Sequence, residues 1–265
     1  MNAPFCILTI AGSDSGGGAG IQVDQRTIRA IGGHALTAVT AVTAQDTRRV
    51  HLWDPVRDSL IRSQIESALS GFPVAAVKTG LLPGTRAIKA VASALARVPA
   101  IPLVIDPVLS SSSGTRFLSD AGVRALRTLL FPAASLITPN WPEAAELTGM
   151  AVRTHAQAAK AAAALADDCG RPVLVKGGHA MGSFCRDCLL VPGGEPVWLE
   201  GPRILTSNTH GTGCVLSAAI AAWLGRGATL HEAVRFARAF LQRALTRGRS
   251  IRWGEGRGTA FYGAR

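Results

Sequence analysis

The sequence of 265 residues has little lysine, few aromatic residues and few acidic ones. Lysine occurs at only four positions, so arginine supplies most of the 28 basic residues, against 17 acidic ones, and the formal net charge is +11. A nucleic-acid-binding protein usually combines a clustered basic face with aromatic side chains. Because aromatic residues make up only 5% of the chain, we expect no nucleic-acid partner. The charge indicates a solvated surface that also suits an anionic nucleotide.

A long apolar run is also missing. No stretch of 18 purely apolar residues occurs, although 48% of the chain is apolar, so we predict no membrane-spanning helix and no membrane partner. The first ten residues lack a basic segment followed by a long apolar one, which predicts no signal peptide and a cytoplasmic location. The apolar content excludes a disordered chain, and the length fits one domain over residues 1–265.

The five cysteines are odd in number and irregularly spaced, which argues against a disulfide framework. Cys185 and Cys188 have the spacing of a zinc or redox pair, but no second pair and no neighbouring histidine accompany them. They also lie inside an alternating strand pattern rather than at the start of a helix. We therefore expect neither metal binding nor redox chemistry from this pair.

Apolar runs rich in valine, isoleucine and leucine alternate with alanine-rich amphipathic stretches. Strands are predicted at 5–11, 35–43, 75–79, 102–107, 135–138, 173–176, 184–191 and 197–199. Helices are predicted at 19–31, 59–70, 85–97, 120–130, 142–148, 155–167, 211–224 and 230–247. This alternation is typical of an α/β protein with a mostly parallel sheet and right-handed crossovers. The last two strands are expected to form an antiparallel hairpin at one edge.

Glycine or a hydrogen-bonding side chain follows nearly every predicted strand, and ligands of such sheets bind beyond the carboxyl ends of the strands. The strongest of these signals is Asn208-Thr209-His210-Gly211-Thr212-Gly213-Cys214, directly before an apolar helix. Glycines there let backbone N–H groups converge on an anion, and the first helical turn adds unpaired donors and the positive end of the helix dipole. This arrangement suits a phosphoryl group in transfer. The structural alternative is a glycine-rich helix entry capped by threonine.

The first glycine-rich segment, residues 12–20, is not a dinucleotide fingerprint. Gly16 and Gly18 match its first two glycines, but Ile21 stands where a third glycine or an alanine is due. We interpret the segment as a loop around a small substrate, with Asp14 or Asp24 as a polar contact. The alternative is that Asp14 is a turn carboxylate and Asp24 faces solvent.

Three charged residues follow strands at the same predicted sheet edge. Asp106 and Glu143 are two carboxylates that can hold Mg²⁺ beside phosphates, although Glu143 alternatively only stabilises a helix N-terminus. Lys176 follows an apolar strand, from which it can reach a nucleotide phosphate as a point charge. The alternative for Lys176 is an exposed surface lysine.

Together these segments resemble the bacterial hydroxymethylpyrimidine/phosphomethylpyrimidine kinases of thiamine biosynthesis, within the ribokinase-like superfamily. Seven motifs occur in the family's order between residues 10 and 226. They are Ile10-Ala11-Gly12-Ser13-Asp14 with Gly16 to Gly20, Thr43-Ala44-Gln45-Asp46-Thr47, Lys78-Thr79-Gly80-Leu81-Leu82, Asp106-Pro107-Val108-Leu109, Thr138-Pro139-Asn140 with Pro142-Glu143-Ala144, Lys176-Gly177-Gly178-His179, and Asn208 to Cys214.

The resemblance implies a three-layer α/β/α fold and two phosphoryl transfers from ATP·Mg²⁺. The first is to the hydroxymethyl oxygen of 4-amino-5-hydroxymethyl-2-methylpyrimidine, the second to the resulting monophosphate. It also implies a homodimer. For the pyrimidine, the resemblance implies a hydrogen bond from Gln45 and a pocket lined by Gly12, Asp24, Leu81 and Val108. For ATP·Mg²⁺, it implies nucleotide contacts from Lys176 and Thr209 and metal binding by Asp106 and Glu143. The transferred phosphoryl group is implied to bind in an anion hole of Gly211, Thr212 and Gly213.

Cys214 stands where sugar kinases of the superfamily carry an aspartate that accepts the hydroxyl proton. A thiol at a helix N-terminus is expected to have a lowered pKa and to favour thiolate. The resemblance implies a catalytic or substrate-contacting role for Cys214. The alternative is a small residue that packs the helix start.

Two segments depart from the family pattern. The serine run at 110–113 is interpreted as a lid that excludes water, and the tail at 253–256 lacks the family's His-Gly-rich ending. The alternatives to a pyrimidine kinase are a pyridoxal or pyridoxine kinase on the same fold and, more remotely, a basic nucleic-acid-binding protein. A nucleotide-dependent oxidoreductase is disfavoured by the broken fingerprint. The sequence leaves open whether both phosphorylation steps occur and which residues contact adenine.

Overall fold

The computed structural model describes residues 5–97, 101–111 and 113–262. The strands in this part of the chain are β1 (Cys6–Asp14), β2 (His34–Gln45), β3 (Val50–Pro55), β4 (Val74–Thr79), β5 (Leu103–Ile105), β6 (Leu136–Ile137), β7 (Val173–Val175), β8 (Phe184–Leu190) and β9 (Val197–Pro202). The helices are α1 (Gly20–Ala30), α2 (Asp58–Gly71), α3 (Gly84–Leu95), α4 (Asp120–Ala125), α5 (Trp141–Thr148), α6 (His155–Cys169), α7 (Thr212–Gly225) and α8 (Leu230–Gly248).

All these strands form one sheet in the order β3-β2-β1-β4-β5-β6-β7-β8-β9. β1 lies between β2 and β4 and is parallel to both, and the pairs from β4 to β7 are also parallel. β3 is antiparallel to β2, and β8 and β9 add antiparallel strands at the other edge. The strand order therefore reverses between β1 and β4, the position where ligands of such sheets bind.

Helices cover both faces of the sheet. On one face α1, α7 and α8 pack over Ile7, Ala76 and Val104, and on the other α2 to α6 pack over Leu8 and Val77. Neighbouring residues of one strand therefore contact different helix layers, which is why the strands are continuous apolar runs in the sequence. The expected three-layer α/β/α fold is confirmed.

Reciprocal side-chain caps fix the start of α5, which faces the carboxyl end of β6. The Asn140 side chain accepts the Glu143 N–H at 2.9 Å, and the Glu143 carboxylate accepts the Asn140 N–H at 2.7 Å. α6 and α8 begin with the same arrangement, at Thr154 and Thr229. At its other end α5 stops at Gly149, whose φ of +71° is left-handed. The cap holds Glu143 at the sheet edge.

Apart from shifts of a few residues at element ends, one strand was not predicted and one predicted helix is only partly α-helical. No strand is predicted at 50–55, where β3 lies. Its residues are exposed or half-buried and it pairs only with β2, so it lacks the buried apolar positions that reveal a strand. The helix predicted at 120–130 is α-helical only to Ala125. The wider turns of a π-helix continue over Leu126–Leu130, and a tighter 3₁₀ turn follows over Phe131–Ala133. Among the described residues, every helix is too short or too polar to cross a membrane.

Candidate active site

A cavity of about 950 Å³ opens at the carboxyl ends of the central strands. All but one of the residues assigned to a site from the sequence line it. They are Gly12, Gln45, Leu81, Asp106, Val108, Glu143, Lys176, Thr209, Gly211, Thr212, Gly213 and Cys214. The exception is Asp24. The topology brings these residues together because the carboxyl ends of parallel strands share one edge of the sheet.

Gly211, Thr212 and Gly213 form a cup at the start of α7. Gly211 has a φ of +73°, which glycine adopts without strain, and a side chain there would collide with the Gly18 carbonyl. A Cβ on Gly213 would lie only 3.1 Å from the Nζ of Lys176. Since the first N–H groups of a helix lack intrahelical partners and carry the positive end of the dipole, the cup presents donors beside an ammonium group. Such a surface suits a phosphoryl group.

Asp14 ties the two glycine-rich loops together. Its carboxylate accepts the N–H groups of Gly16, Gly18 and Ala19 at 2.7, 2.9 and 2.8 Å and lies 3.0 Å from the Nε2 of His210. Burial by itself would raise the pKa of Asp14, but His210 and the hydrogen bonds outweigh it, and the pKa is lowered. Asp14 is therefore a turn carboxylate, and because it also lines the cavity, its role as a polar contact for a substrate stays a prediction.

One lysine and two carboxylates meet at the cavity, and we call Lys176, Asp106 and Glu143 the open triad. The name refers to the lysine side chain, which is 12% exposed. The Nζ of Lys176 lies 2.7 Å from the Oδ1 of Asp106 and 3.9 Å from the Oε2 of Glu143. Ser217, one turn further along α7 than the cup, donates its hydroxyl to the Oδ2 of Asp106 at 3.1 Å. The helix that carries the cup therefore also positions the carboxylate beside it.

The two carboxyl groups of the open triad have different pKa values. Burial raises the pKa of Glu143 to about 7, although Lys176 opposes the shift. Burial would also raise the pKa of Asp106, but the ammonium groups of Lys176 and Lys78 outweigh it and the pKa is lowered. At neutral pH Asp106 is therefore ionised, while Glu143 is divided between its two protonation states.

Asp106 and Glu143 offer the hard oxygen donors that Mg²⁺ prefers. Among the residues that the structure describes, no group of three or more histidine, cysteine, aspartate or glutamate side chains could hold a metal ion. Mg²⁺ commonly binds through one or two carboxylates together with waters and substrate phosphates. The donor set therefore fits a Mg²⁺ ion that arrives with phosphates.

A second lysine–carboxylate pair, which we call the sealed pair, consists of Lys78 and Asp24. The Nζ of Lys78 lies 2.8 Å from the Oδ2 of Asp24, and both side chains are 0% exposed. Thr9 donates its hydroxyl to the same oxygen, while the Oδ1 of Asp24 has no hydrogen-bond partner within the described ranges. Lys78 borders the floor of the cavity, but its fully buried side chain does not open into it, and Asp24 is not among the residues that line the cavity.

The position of Asp24 corrects both interpretations of this residue. It does not line the pocket as the resemblance implied, and it does not face solvent, because α1 turns it inward onto Lys78. Lys78 occurs in one of the seven motifs, but no role was predicted for it from the sequence. The signal that was available is the one that identified Lys176, a lysine directly after an apolar strand.

Cys214, the third residue of α7, is half-buried at the cavity wall. Burial raises the pKa of its thiol to about 11, opposed by Lys78 and reinforced by the carboxylates of Asp106 and Asp24. The prediction of a lowered pKa and a thiolate is therefore wrong. The position at a helix N-terminus was visible in the sequence, but the two buried carboxylates near it were not.

The β2–β1–β4 side of the cavity has few charges. A Cβ on Gly12 would lie 2.9 Å from the Cδ2 of Leu81, so only glycine lets Leu81 pack this closely. Ser15 fixes the backbone of Gln45 by accepting its N–H at 2.9 Å and donating to its carbonyl at 3.1 Å. With Val108, this side offers apolar walls together with the Gln45 amide and the Asp14 carboxylate, which suits a small planar heterocycle with a polar edge.

The loop after β5 continues this wall. Ser110, Ser111 and Phe117 line the cavity, and Phe117 packs edge-on against Trp53 of β3 with ring centroids 5.4 Å apart. Ser112 lies outside the described residues. The role of the serine run as a lid stays a prediction.

The β7–β9 side of the cavity has an apolar wall of Ile204, Leu241 and Leu245. Arg238 of α8 stands beside it, held at 2.6 Å by Asp187. These residues come from the segment after β9 and from α8, so no contiguous motif announced them. An apolar slot next to a phosphate-binding cup suits the base of a nucleotide.

Cys185 and Cys188 lie on opposite faces of β8, as residues three apart in a strand must. Cys188 is fully buried in the core on the α2–α6 side, whereas Cys185 lines the cavity. They form no disulfide. Because their side chains point away from each other, they do not form a two-cysteine metal site.

The C-terminal segment 256–262 crosses the site, although the sequence analysis assigned it no role. Arg257 donates its N–H to the Thr47 carbonyl at 2.7 Å. Thr259 donates its hydroxyl to the Gly18 carbonyl at 3.1 Å. The segment therefore joins the end of β2 to the first glycine-rich loop.

Comparison with known proteins places this arrangement among kinases. The family model described as phosphomethylpyrimidine kinase matches residues 14–260. A hydroxymethylpyrimidine/phosphomethylpyrimidine kinase of Haemophilus influenzae is 41% identical over 253 residues, which are 94% of each chain.

Two solved structures are similar over nearly the whole fold. An ADP complex of the pyridoxal kinase of Bacillus subtilis has a TM-score of 0.89 and 33% identity, covering 98% of this chain and 97% of that one. A phosphomethylpyrimidine kinase of Clostridium difficile has a TM-score of 0.79 and 34% identity, covering 91% of this chain and 99% of that one.

Proposed function

The chain belongs to the phosphomethylpyrimidine kinase family, and we propose that the cavity at the strand ends is its active site. The reaction transfers the γ-phosphoryl group of ATP to the hydroxymethyl oxygen of 4-amino-5-hydroxymethyl-2-methylpyrimidine, and then a second group to the monophosphate, in thiamine biosynthesis. The observation that carries this site assignment is the cup of α7 standing directly against Lys176 at the point where the strand order reverses.

The two sides of the cavity suit two different ligands. The pyrimidine ring binds between Gly12, Leu81 and Val108, with the Gln45 amide at its polar edge. The adenine of ATP binds at the apolar β7–β9 wall, and Lys176 and Thr209 contact its phosphates. The γ-phosphoryl group then lies in the cup, between the hydroxymethyl oxygen and ADP.

During transfer, the bond between the γ-phosphorus and the oxygen that bridges to the β-phosphate breaks, a new bond forms from the hydroxymethyl oxygen to phosphorus, ADP leaves, and the hydroxyl proton passes to an oxygen of the transferred phosphoryl group. Such transfers have loose transition states, so positioning and electrostatic stabilisation supply most of the catalysis. The cup N–H groups and Lys176 stabilise the charge on the phosphoryl oxygens. When bound, Mg²⁺ held by Asp106 and Glu143 supplies further neutralisation of phosphate charge. Because the pKa of Cys214 is about 11, its thiol orients the attacking oxygen and is not a preformed thiolate base.

Replacement of Cys214 tests this role. We expect C214A to lower kcat about 10- to 100-fold, less than the roughly 10²–10⁴-fold loss of a general base because the thiol orients the attacking oxygen and does not accept its proton, and to change the ATP KM by less than threefold. Steady-state kinetics and circular dichroism measure the two effects. A folded C214A enzyme with the wild-type kcat would show that the thiol does not act on the transferred group.

Steady-state turnover with ATP and Mg²⁺ tests the substrate assignment directly. Three acceptors are compared: the pyrimidine alcohol, its monophosphate and pyridoxal. Pyridoxal is included because a pyridoxal kinase shares the fold. We expect kcat/KM for both pyrimidines to exceed that for pyridoxal. Turnover of pyridoxal without either pyrimidine would reverse the assignment, and turnover of the monophosphate alone would restrict it to the second step.

We also propose that residues 1–265 act as one domain within a homodimer, without a nucleic-acid partner. The exposed β2–β3 edge, where Val42 and Leu52 are 54% and 64% exposed, supports contact with a second copy, since unpaired edge strands invite pairing. Light scattering is expected to give twice the chain mass for the wild type and the chain mass for L52K. A gel shift at low salt would contradict the absence of a nucleic-acid partner.

A further inference from the structure

The sealed pair lies beneath the cup, although neither of its residues belongs to α7. Asp24 comes from α1 and Lys78 from β4. α7 runs along β4 in the opposite direction, since a Cβ on Gly225 at its C-terminal end would lie 3.4 and 3.5 Å from the Cβ atoms of Ala75 and Ala76. The first turn of α7, with Cys214, therefore lies over the carboxyl end of β4. Lys78 is the residue at that end.

The register of the strands sets the direction of the sealed pair. Ile7 and Ala76 pack against the α1–α7–α8 layer, so Thr9 and Lys78, two residues further along their strands, face the same layer. Gly80 leaves room for the lysine head, because a Cβ there would lie 2.8 Å from the Nζ. The structure therefore holds an ammonium group, 0% exposed, below the first turn of α7.

We propose that Lys78 is a positioning residue for the transfer: held by Asp24, its buried ammonium supports negative charge at the Cys214 thiol and in the cup without touching substrate. Water screens a fully buried cation less than an exposed one, so the ammonium still acts on the first turn of α7, although the Asp24 carboxylate beside it offsets part of its field. Lys78 and Thr9 both donate to the Oδ2 of Asp24, while its Oδ1 has no hydrogen-bond partner among the described residues, so the carboxyl group is held from the side of the lysine. This inference rests on the proposed kinase function for its catalytic consequence.

Charged and titratable groups from several elements act on the Cys214 thiol. They are Lys78 of β4, Asp24 of α1, Asp106 after β5, Lys176 after β7 and Tyr262 of the C-terminal segment. Lys78 and Asp24 form one ion pair, yet their charges affect the thiol with opposite signs. An electrostatic role therefore predicts opposite effects of removing each partner. A merely structural role predicts the same effect, since a loosened site exposes the thiol in both cases.

The test is the pH dependence of Cys214 alkylation by iodoacetamide, with the modified peptide identified by mass spectrometry and no substrate added. We expect K78M to react about tenfold more slowly at pH 8.5 and D24N to react severalfold faster, because the reactive species is the thiolate and one pKa unit is a tenfold change in its fraction. T79V is the matched control. Thr79 is the next residue of β4, is fully buried, has an unpartnered hydroxyl and carries no charge, so T79V should react within twofold of wild type.

The kinetic arm uses the same variants with the pyrimidine alcohol. We expect K78M to lower kcat at least tenfold with the ATP KM changed less than threefold, since Lys78 does not contact the nucleotide. Alkylation of K78M at the wild-type rate, or shifts of K78M and D24N in the same direction, would overturn the inference.

If K78M fails to fold, because it leaves a buried carboxylate unpaired, D24N is compared with the double variant D24N/K78M. The double variant should react about tenfold more slowly than D24N, and equal rates would overturn the inference. Since alkylation needs no substrate, it remains informative even if the pyrimidines are not turned over. The failure of the proposed function and the failure of this inference are therefore distinguishable.

Discussion

Two lysine–carboxylate pairs flank the cup, and they differ in exposure more than in geometry. Lys176 and Asp106 are 2.7 Å apart with the lysine 12% exposed, whereas Lys78 and Asp24 are 2.8 Å apart and both 0% exposed. An ammonium group that reaches the cavity can exchange its carboxylate for a phosphate. One that is sealed keeps its partner and acts only through its field. We therefore propose that the same two residue types serve phosphate binding on one side of the cup and positioning below it.

The largest expected effect that separates the two pairs is on activity. We expect D106N, in the open triad, to lower kcat about 10²–10³-fold, the range seen when one group that stabilises transition-state charge is removed. Circular dichroism should be unchanged, because the carbonyl oxygen of the introduced amide still accepts the Ser217 hydrogen bond. A folded D106N enzyme with wild-type kcat would remove Asp106 from the site.

The second effect is on stability, where the larger loss is expected in the sealed pair and the smaller one in the open triad. Removing one partner of a buried ion pair costs about 3–5 kcal/mol, because the other charge stays buried and unpaired. We expect such a loss for K78M but only about 1 kcal/mol for K176M, since Asp106 retains hydrogen bonds from Ser217 and Thr138. Urea unfolding of the two variants measures the difference. Equal losses would mean that exposure does not distinguish the pairs.

The third prediction sharpens the comparison within the open triad. Burial raises the pKa of Glu143 to about 7, and only the ionised carboxylate is a good ligand for a divalent cation. The apparent Mg²⁺ affinity is therefore expected to fall as pH drops below 7, by at most tenfold per pH unit, and to be nearly constant above 8. Magnesium titrations of activity between pH 6 and 8.5 measure this dependence. E143Q should flatten it, and an unchanged dependence in E143Q would assign it to another group.

The smallest effect is expected where neither pair acts. Gln45 stands at the weakly charged side of the cavity, with its backbone fixed by Ser15. We expect Q45A to raise the pyrimidine KM about fivefold, roughly the loss of one hydrogen bond, with kcat changed less than threefold. S15A, which loosens the Gln45 backbone but keeps its amide, is expected to have a weaker effect. An unchanged KM in Q45A would mean that the ring is held by other residues.

The sequence was sufficient for the layer order, the parallel centre and the cavity residues that directly follow strands, because apolar runs and the residues that follow them are local patterns. It was not sufficient for the burial of Asp24, because this residue of α1 is paired with Lys78 of β4, 54 positions away. The pKa of Cys214 was missed for the same reason, since the helix N-terminus is a local feature and the carboxylates near it are not. The exposed edge strand β3 and the apolar wall from α8 also lack local signals.

The link between Thr259 and Gly18 joins residues 241 positions apart. Contacts of such separation carry a large loop-closure entropy and form late in folding. We therefore expect the sheet and its first loop to form before the rim of the site, which is completed only when the far end of the chain docks. Refolding followed through nucleotide binding should consequently lag behind refolding followed through the helices.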